Sequence, residues 1–249
     1  MGKLYVVGIG PGCYEDMTIR ADKALRECDV VAGYTVYCDL LRPYFPDKEY
    51  LSTPMMGEEK RVAMALERAR KGQAVALVCS GDAGVYGMAG LAFELAQGDG
   101  DENVENVEIE VIPGVTAAIS GAALLGAPLI HDFCLISLSD RLTPVNTIEK
   151  RLRAAAESDM VIVLYNPESK SRSGYLKKAA EILMETLEES RICGVARNIK
   201  RQDEKMEIMT LKELTEYPAD MFCTVFIGNS STEHIDGHMI TKRGYRSER

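Results

Sequence analysis

Short apolar runs that end in glycine-containing segments constrain the fold of this chain most strongly. The run from Leu4 to Ile9 overlaps the segment Gly8-Ile9-Gly10-Pro11-Gly12. The run from Ala74 to Cys79 is followed by Ser80-Gly81-Asp82. Apolar runs of this length without alternation are typical of parallel strands buried on both faces. In open α/β sheets, ligands bind beyond the carboxyl ends of such strands, so these loops are the first candidates for a binding site.

Amphipathic helix patterns lie between these runs. Thr18 is placed to cap a helix whose apolar positions follow the i, i+3, i+4, i+7 rule, namely Ala21, Ala24, Leu25 and Cys28. Residues 58–71 predict a second helix, with Glu67 and Lys71 paired at i,i+4 and Gly72 just beyond its end. Residues 29–32 predict a further short strand between the two helices. The alternation of strands and helices indicates an α/β fold.

The second half of the chain continues this alternation with shorter connections. Beyond a strand at 108–112, strands are predicted at 133–138, 160–165, 192–197, 205–210 and 221–227, and helices at 115–126, 146–157, 174–188 and 211–216. We predict two α/β domains, residues 1–112 with a mainly parallel sheet and residues 113–249 with a mixed sheet. The stretch from Ser230 is polar and is expected to pack poorly, apart from Met239, Ile240 and Tyr245.

Composition excludes several classes of partner. The net charge is −9, which argues against nucleic acid as a partner, and no apolar run approaches the roughly 18 residues that a membrane span needs. The 7 cysteines contain no C-x-x-C pair, so no zinc or iron–sulfur site is predicted. The acidic turn at 98–103 lacks the downstream glutamate of a calcium loop. We expect buried thiols in a reducing cytoplasm and no bound metal.

The first glycine segment resembles a nucleotide-binding loop only in part. The dinucleotide fingerprint is G-x-G-x-x-G at the start of a helix, whereas this chain has G-x-G-P-G, and Pro11 has no amide to offer a phosphate. An NAD-binding oxidoreductase is therefore the disfavoured alternative. A phosphate-binding-loop lysine and a G-x-S-x-G elbow are also missing, so kinase and hydrolase functions have no support.

Taken together, the motifs resemble the tetrapyrrole (corrin/porphyrin) methyltransferases over nearly the whole chain. Within that family they are most similar to the enzymes that methylate carbon 17 of precorrin-3B or cobalt-factor III, with ring contraction, in cobalamin biosynthesis. The resemblance is carried by Gly8–Gly12, Val31–Tyr34, Ser80–Ala89, Pro113–Ala118, His131–Phe133, Ile136–Asp140, Leu142–Pro144, Tyr165–Pro167 and Ile240–Tyr245.

The resemblance implies a cleft between the two α/β domains that binds S-adenosylmethionine. The residues that would bind this methyl donor are Pro11, Gly81, Asp82, Val85, Thr116, Ala117, Tyr165, Asn166, Arg197, Asn198 and Thr224. Asp82 would accept hydrogen bonds from the donor or orient its own loop through an Asx turn. Thr116 would contact the donor or cap the helix that follows.

The implied substrate is an anionic tetrapyrrole, which a chain of net charge −9 can bind only through local basic groups. We assign substrate contacts to Gly10, Arg141 and Arg172. His131, Asp132 and Asp140 are candidates for proton transfer, but no catalytic base is assigned.

Two residues depart from the family pattern. Ala83 stands where proline usually follows Gly-Asp, and Val145 stands where a tryptophan is expected after Thr143-Pro144. Relatives are usually homodimers, so a homodimer is expected. The open alternatives are methylation of another corrin carbon, the diphthamide methyltransferase branch and a non-catalytic S-adenosylmethionine sensor.

Overall fold

The chain folds into two compact units. A computed structural model describes residues 2–97, 107–169 and 173–245, so the acidic turn at 98–103 lies outside the described residues. The units are Met1–Ala117 and Ala118–Arg249. The first unit extends a few residues past 112 because the loop after its last strand packs against the end of β1. A Cβ on Gly114 in this loop would lie 2.6 Å from the Gly8 carbonyl oxygen.

The first unit, over residues 2–97 and 107–117, is a five-stranded sheet with helices along it. Its elements are β1 (Lys3–Gly8), α1 (Ile19–Glu27), β2 (Val30–Tyr34), α2 (Thr35–Leu41), β3 (Glu49–Thr53), α3 (Glu58–Arg70), β4 (Ala74–Cys79), α4 (Ala89–Ala96) and β5 (Glu108–Ile112). The strand order is β3-β2-β4-β1-β5, and every pairing is parallel. This confirms the predicted parallel sheet.

Both faces of this sheet are buried, as the unalternating apolar runs predict. Leu4 and Val6 pack with α3 and α4 on one face, and Tyr5 and Val7 pack with α1 on the other. Successive side chains of a strand point to opposite faces, so every residue of β1 after Lys3 that carries an apolar side chain enters a core.

The predicted start of α1 is confirmed. The Thr18 hydroxyl accepts a hydrogen bond from the Ala21 amide at 3.1 Å, which satisfies one of the donors left open in the first turn. At the end of α3, the Lys71 ammonium lies 2.6 Å from the Glu67 carboxylate, as the i,i+4 spacing predicts.

The second unit contains a mixed sheet, again as predicted. Its elements are α5 (Ala117–Leu125), which starts at the unit boundary, β6 (Gly126–Ala127), β7 (Phe133–Ser137), α6 (Val145–Glu157), β8 (Val161–Tyr165), α7 (Tyr175–Leu183), β9 (Ile192–Arg197), β10 (Lys205–Thr210), α8 (Leu211–Leu214), β11 (Cys223–Ile227), β12 (Thr232–Ile235) and β13 (His238–Thr241). The main sheet has the order β10-β9-β11-β8-β7, in which only β7 and β8 pair in parallel.

The two faces of this sheet are covered differently. Val225 and Ile227 face the core formed with α6, α7 and α8. Phe226, between them, faces α5, where a Cβ on Gly121 would lie 2.9 Å from the Phe226 ring. Glycine at this position therefore lets α5 approach the strand closely.

The expectation that the stretch from Ser230 packs poorly is wrong. The structure forms the β12–β13 hairpin there, and β13 pairs with β6. Thr232 and Thr241 are buried with their hydroxyl oxygens 2.7 Å apart, and the Thr241 hydroxyl donates to the Pro128 carbonyl. Met239 is fully buried as expected, whereas Tyr245 is 89% exposed. Hydrogen bonds between buried hydroxyls allow a polar segment to pack.

Three elements of the first unit were not predicted, namely α2, β3 and α4. β3 forms an edge of the sheet and is only partly buried, so its sequence lacks the apolar run that marks β1 and β4. Within the described residues, none of the helices has the length and apolar character needed to cross a bilayer.

All seven cysteines are unpaired thiols, and five of them are buried. Burial raises the pKa of the Cys28, Cys38 and Cys79 thiols to about 11. These groups therefore behave as small apolar side chains at neutral pH, as expected from the sequence.

Candidate functional site

The carboxyl ends of β1 and β4 are joined by their backbones. The Gly10 amide donates to the Gly81 carbonyl at 3.1 Å, and the Gly81 amide donates to the Gly10 carbonyl at 2.7 Å. Gly10 has φ +79° and Gly81 has φ +70°, a region that side-chain-bearing residues rarely adopt. The glycines that follow the two strands are therefore required to join the loops.

This junction lies at the topological switch point of the first sheet. The chain leaves β1 towards β2 on one side and leaves β4 towards β5 on the other. The loops that follow β1 and β4 therefore diverge above adjacent strands, which is where open α/β sheets bind their ligands.

A third loop, residues 113–116 after β5, packs into the same junction. A Cβ on Gly8 would lie 2.7 Å from the Gly114 amide nitrogen, and a Cβ on Gly114 would lie 2.2 Å from the Gly81 carbonyl oxygen. Side chains at Gly8 and Gly114 are excluded by protein backbone. These two glycines serve close packing of the loops.

The Asp82 carboxylate fixes the arrangement of these loops. Its Oδ1 accepts from the Gly84 amide at 2.8 Å and the Val85 amide at 3.1 Å, which is an Asx turn. Its Oδ2 accepts from the Gly114 amide at 2.9 Å. Of the two roles considered for Asp82, the geometry favours orientation of its own loop, and a contact with the donor stays a prediction.

Thr18 ties the third loop to α1. Its hydroxyl donates to the Pro113 carbonyl at 3.2 Å while it caps the helix. The sequence identified Thr18 only as a cap and did not place Gly8 or Gly114 among the site residues. Gly8 lies in a loop that the sequence already indicated as a candidate site, whereas the close approach of the Gly8 and Gly114 backbones has no local sequence signal.

The structure brings most of the predicted donor-binding residues of the first unit together. An added Cβ on Gly81 would lie 3.5 Å from the Thr116 Cα and 3.6 Å from the Ala117 nitrogen, which is ordinary van der Waals contact. Pro11 is buried directly after Gly10, and Val85 lies in the Asp82 turn. We define these three loops, residues 9–12, 80–88 and 113–116, as the glycine cradle.

The predicted residues of the second unit share one edge of its own sheet. β8 and β9 both pair antiparallel with β11, so their carboxyl ends lie beside the start of β11. Tyr165 ends β8, Arg197 ends β9, and Thr224 is the second residue of β11. Thr224 is 5% exposed.

Side chains organise this second edge. The Tyr165 hydroxyl accepts from the Ala118 amide at 2.7 Å, which satisfies a donor in the first turn of α5. The Asn166 amide group donates to the Ser137 hydroxyl at 2.9 Å, and Asn166 has φ +53°. These groups have protein partners that hold the strand ends in place.

Arg197 and Asn198 are also held by neighbouring groups. The Arg197 guanidinium lies 2.5 Å from the Asp220 carboxylate, and the Asn198 amide donates to the Phe222 carbonyl at 3.2 Å. Because Asp220 neutralises Arg197, this arginine contributes little net charge for an anionic substrate.

The predicted substrate residues are not gathered in the same way. Gly10 is buried with its amide and carbonyl engaged by Gly81, and Arg141 is exposed in a bend. Arg172 lies outside the described residues. Among the described residues no group of three metal-binding side chains forms, and no metal is assigned.

The candidates for proton transfer all have structural contacts. His131 Nε2 lies 2.9 Å from the Lys242 carbonyl oxygen, and the Asp140 carboxylate accepts from the Tyr175 hydroxyl at 2.7 Å. Asp132 is exposed, and its carbonyl accepts from the Val161 amide at the start of β8. His131 and Asp140 thus have structural contacts through their side chains and Asp132 through its backbone, and no catalytic base is assigned.

Comparison with known proteins identifies a family. The sequence profile of the Tetrapyrrole (Corrin/Porphyrin) Methylases matches residues 3–215. A protein of Salmonella typhimurium named "Probable cobalt-factor III C(17)-methyltransferase" is 46% identical over 242 residues, which cover 97% of this chain and 99% of that protein. The "Cobalt-factor III methyltransferase" of Priestia megaterium is 43% identical over 98% of this chain, which spans only 45% of that protein's length.

Solved structures show the same fold. The methyltransferase CobJ matches with a TM-score of 0.90 and 36% identity, covering 97% of this chain and 100% of that one. A uroporphyrin-III C-methyl transferase from Thermus thermophilus, complexed with S-adenyl homocysteine, matches with a TM-score of 0.73 and 22% identity, covering 91% of this chain and 97% of that one.

Proposed function

The chain belongs to the tetrapyrrole (corrin/porphyrin) methylases, and from this premise we propose that it methylates carbon 17 of a corrin precursor, cobalt-factor III or precorrin-3B, during cobalamin biosynthesis. The methyl donor is S-adenosylmethionine, which supplies an electrophilic methyl group when bound. The observation that carries the proposal is the glycine cradle, in which three loops meet at the switch point of a parallel sheet.

The residues of the cradle suit such a donor. Gly81 and Thr116 lie close to each other and present backbone and small side-chain groups. Asp82 is the single carboxylate in these loops. Its three amide contacts hold the cradle in one conformation before a ligand arrives. A rigid site of this kind orients two reactants, and orientation alone can supply several kcal/mol to a displacement.

The acceptor is an electron-rich carbon of the macrocycle, so the chain has no need of a strong base for the transfer itself. The donor contacts that the resemblance implies in the second unit, Tyr165, Asn166, Arg197, Asn198 and Thr224, stay predictions. Arg141 and Arg172 are proposed to bind carboxylates of the substrate.

Transfer of label is the direct test of this proposal. The full chain is incubated with methyl-labelled S-adenosylmethionine and either cobalt-factor III or metal-free precorrin-3B, and product mass is measured. We expect one added methyl group on one of the two macrocycles, and the preferred macrocycle identifies the cobalt-dependent or the metal-free route. Donor binding by calorimetry without transfer to either macrocycle would favour a sensor.

The NAD-dependent alternative has a separate test. Pro11 carries no amide, and α1 begins only at Ile19, so a pyrophosphate would have neither the loop amides nor the helix N-terminus that it requires. We expect calorimetric titration to show binding of S-adenosylhomocysteine and none of NADH. The reverse result would return the chain to the oxidoreductases.

The substrate residues are tested by affinity. Replacing Arg141 and Arg172 together with alanine is expected to weaken cobalt-factor III binding, while Arg151→Ala, an exposed arginine on α6, serves as the control. Equal binding by all three proteins would remove both arginines from the substrate site.

We also propose that the protein is a cytoplasmic homodimer. The seven free thiols suit a reducing compartment. Several large apolar side chains of the second unit are exposed, including Ile119, Phe133 and Leu142. Light scattering of the purified chain is expected to give twice the monomer mass, and a monomer mass at micromolar concentration would contradict the dimer.

A further inference from the structure

Arg61 on α3 is a buried cation. It is 4% exposed, and its donors reach three neutral acceptors. Nε donates to the Thr53 hydroxyl at 2.9 Å, and the two Nη atoms donate to the Pro54 carbonyl at 3.1 Å and the Met88 sulfur at 3.4 Å. Burying a charged arginine against neutral groups costs free energy, and the hydrogen bonds that Arg61 makes must offset this cost.

The acceptors of Arg61 belong to two separate loops. Thr53 ends β3 and Pro54 begins the loop to α3, whereas Met88 ends the loop that follows β4. Both loops lie at the carboxyl edge of the parallel sheet, the edge of the glycine cradle. The planar guanidinium presents its donors in fixed directions, so Arg61 holds the two loops in a set relation.

Each of these loops carries an exposed large apolar residue whose φ is positive, a conformation that such residues rarely adopt. Met56 has φ +65° and is 69% exposed, and Tyr86 has φ +53° and is 51% exposed. Residues other than glycine, asparagine and aspartate seldom adopt positive φ, and such strain persists only where the surroundings impose it.

The surroundings of Tyr86 do impose its conformation. Asp82 holds the amides of Gly84 and Val85, and a Cβ on Gly87 would lie 2.4 Å from the Ala83 carbonyl oxygen. The loop is thus fixed on both sides of Tyr86, and its ring is still presented to solvent. Backbone strain that the surroundings impose is concentrated at ligand-binding segments, so the exposed Tyr86 ring is a candidate ligand contact.

We propose that Met56 and Tyr86 contact the flat apolar face of the tetrapyrrole substrate, and that Arg61 is the positioning residue that sets the two loops for this contact. The inference rests on the proposed function and adds two substrate contacts to it. An aromatic ring stacks on a conjugated macrocycle, and a thioether adapts to its surface. Met56 and Tyr86 would bind the face of the macrocycle, whereas Arg141 and Arg172 are proposed to bind its carboxylates.

Glycine variants separate binding from folding. Tyr86→Gly and Met56→Gly remove the side chain and relieve the positive φ, so the unfolding midpoint is expected to stay unchanged or rise. Cobalt-factor III affinity, followed by absorbance titration, is expected to fall about tenfold in each. Tyr86→Phe and Met56→Leu keep the apolar contact and are expected to bind normally. S-adenosylhomocysteine affinity should be unchanged in the two Met56 variants, because Met56 lies outside the loops of the glycine cradle.

A double-mutant cycle tests Arg61. Arg61→Lys keeps the charge but loses the fork of donors, and it is expected to weaken cobalt-factor III binding in the otherwise unchanged protein. In the Met56→Gly/Tyr86→Gly protein the same change is expected to have no further effect on this affinity, because the contacts it positions are gone. Equal loss in both backgrounds would show a purely structural role and overturn the positioning role.

The outcomes distinguish this inference from the proposed function. Wild-type protein that binds S-adenosylhomocysteine but not cobalt-factor III would overturn both. If the wild type binds the macrocycle and both glycine variants bind it equally well, this inference alone would be overturned. A drop in mass by light scattering, with unchanged macrocycle affinity, would assign Met56 and Tyr86 to contact with a second copy of the chain and also overturn it.

Discussion

The carboxyl-edge loops of the two sheets are held together by different means. In the first unit, Gly8, Gly81 and Gly114 bring three backbones into direct contact, and the Asp82 side chain binds across two of these loops. In the second unit, side chains do this work, through Tyr165 on Ala118 and other pairs at the strand ends. A parallel edge collects several loops above adjacent strands, whereas a mixed edge alternates strand ends with strand starts.

The two edges therefore differ in the substitutions that they tolerate. Backbone packed on backbone has no side chain to move aside, so one added methyl group must displace a loop. A side-chain hydrogen bond can be lost with little change in shape, and its net contribution is about 1 kcal/mol.

Adding one methyl group to the first edge should have the largest effect. Gly114→Ala places a Cβ 2.2 Å from the Gly81 carbonyl, so we expect a loss of about 3 kcal/mol in the free energy of unfolding. Gly90→Ala in α4 is the control, because a Cβ there meets nothing within 4 Å and alanine favours a helix. Denaturant unfolding measures both. Similar stability of the two variants would contradict the backbone-packing account.

Removing the Asp82 carboxylate should have the next largest effect. Asp82→Ala leaves the amides of Gly84, Val85 and Gly114 without their acceptor, and we expect a loss of about 2 kcal/mol with faster amide exchange at those three positions. Asp82→Asn keeps one carbonyl oxygen and should protect Gly84 and Val85 but not Gly114. Unaltered exchange at Gly114 in both variants would refute the role of Asp82 in holding the third loop.

Removing a hydroxyl from the second edge should cost less. Tyr165→Phe deletes the acceptor for the Ala118 amide while it keeps the ring, and we expect a loss of about 1 kcal/mol in the free energy of unfolding. Tyr245→Phe, at a residue that is 89% exposed, is the matched control and should be neutral. A loss for Tyr165→Phe as large as that for Gly114→Ala would remove the distinction between the edges.

Away from the edges the two units should respond alike. Lys71 lowers the pKa of Glu67 in the first unit, and Arg153 lowers that of Glu185 in the second, from an ordinary value of 4.5. A carboxyl whose pKa is lowered by folding stabilises the fold above its ordinary pKa and loses that contribution as pH falls below it.

Lys71→Met and Arg153→Met should therefore each reduce stability slightly at pH 7, and the difference from wild type should vanish as the pH falls below 4.5. Thermal unfolding at several pH values measures this, and high salt should also reduce the difference. A persistent difference in acid would mean that packing of the long side chains, rather than charge, is responsible.

Sequence patterns predicted the elements whose residues repeat a simple rule. β1 and β4 are apolar throughout because both faces of the sheet are covered, and Thr18 caps α1 as its position indicates. β3 was missed because an edge strand buries few side chains. The β12–β13 hairpin was missed because Thr232 and Thr241 read as polar, whereas their hydroxyls bond to each other inside the protein.

The candidate site was predictable in its location and less so in its interactions. Glycines at strand ends indicated the cradle, and Gly81 and Asp82 lie in it. The sequence left open whether Asp82 serves a ligand or its loop, since both need a carboxylate after a strand. The sequence indicated Arg61 only as one of several basic residues near loop ends, and its burial could not be predicted because a helical arginine normally lies at the surface.

Local patterns predicted the α/β class and the parallel and mixed sheets, because strand burial is a local property of the chain, and the combined motifs resembled the family that the comparisons show. Which groups meet depends on the folded chain. The contact of Gly114 with Gly8, the reach of Asp82 to the third loop and the burial of Arg61 between two loops join residues far apart in the chain. Such contacts depend on how the strands are ordered in the sheet, which no local pattern specifies.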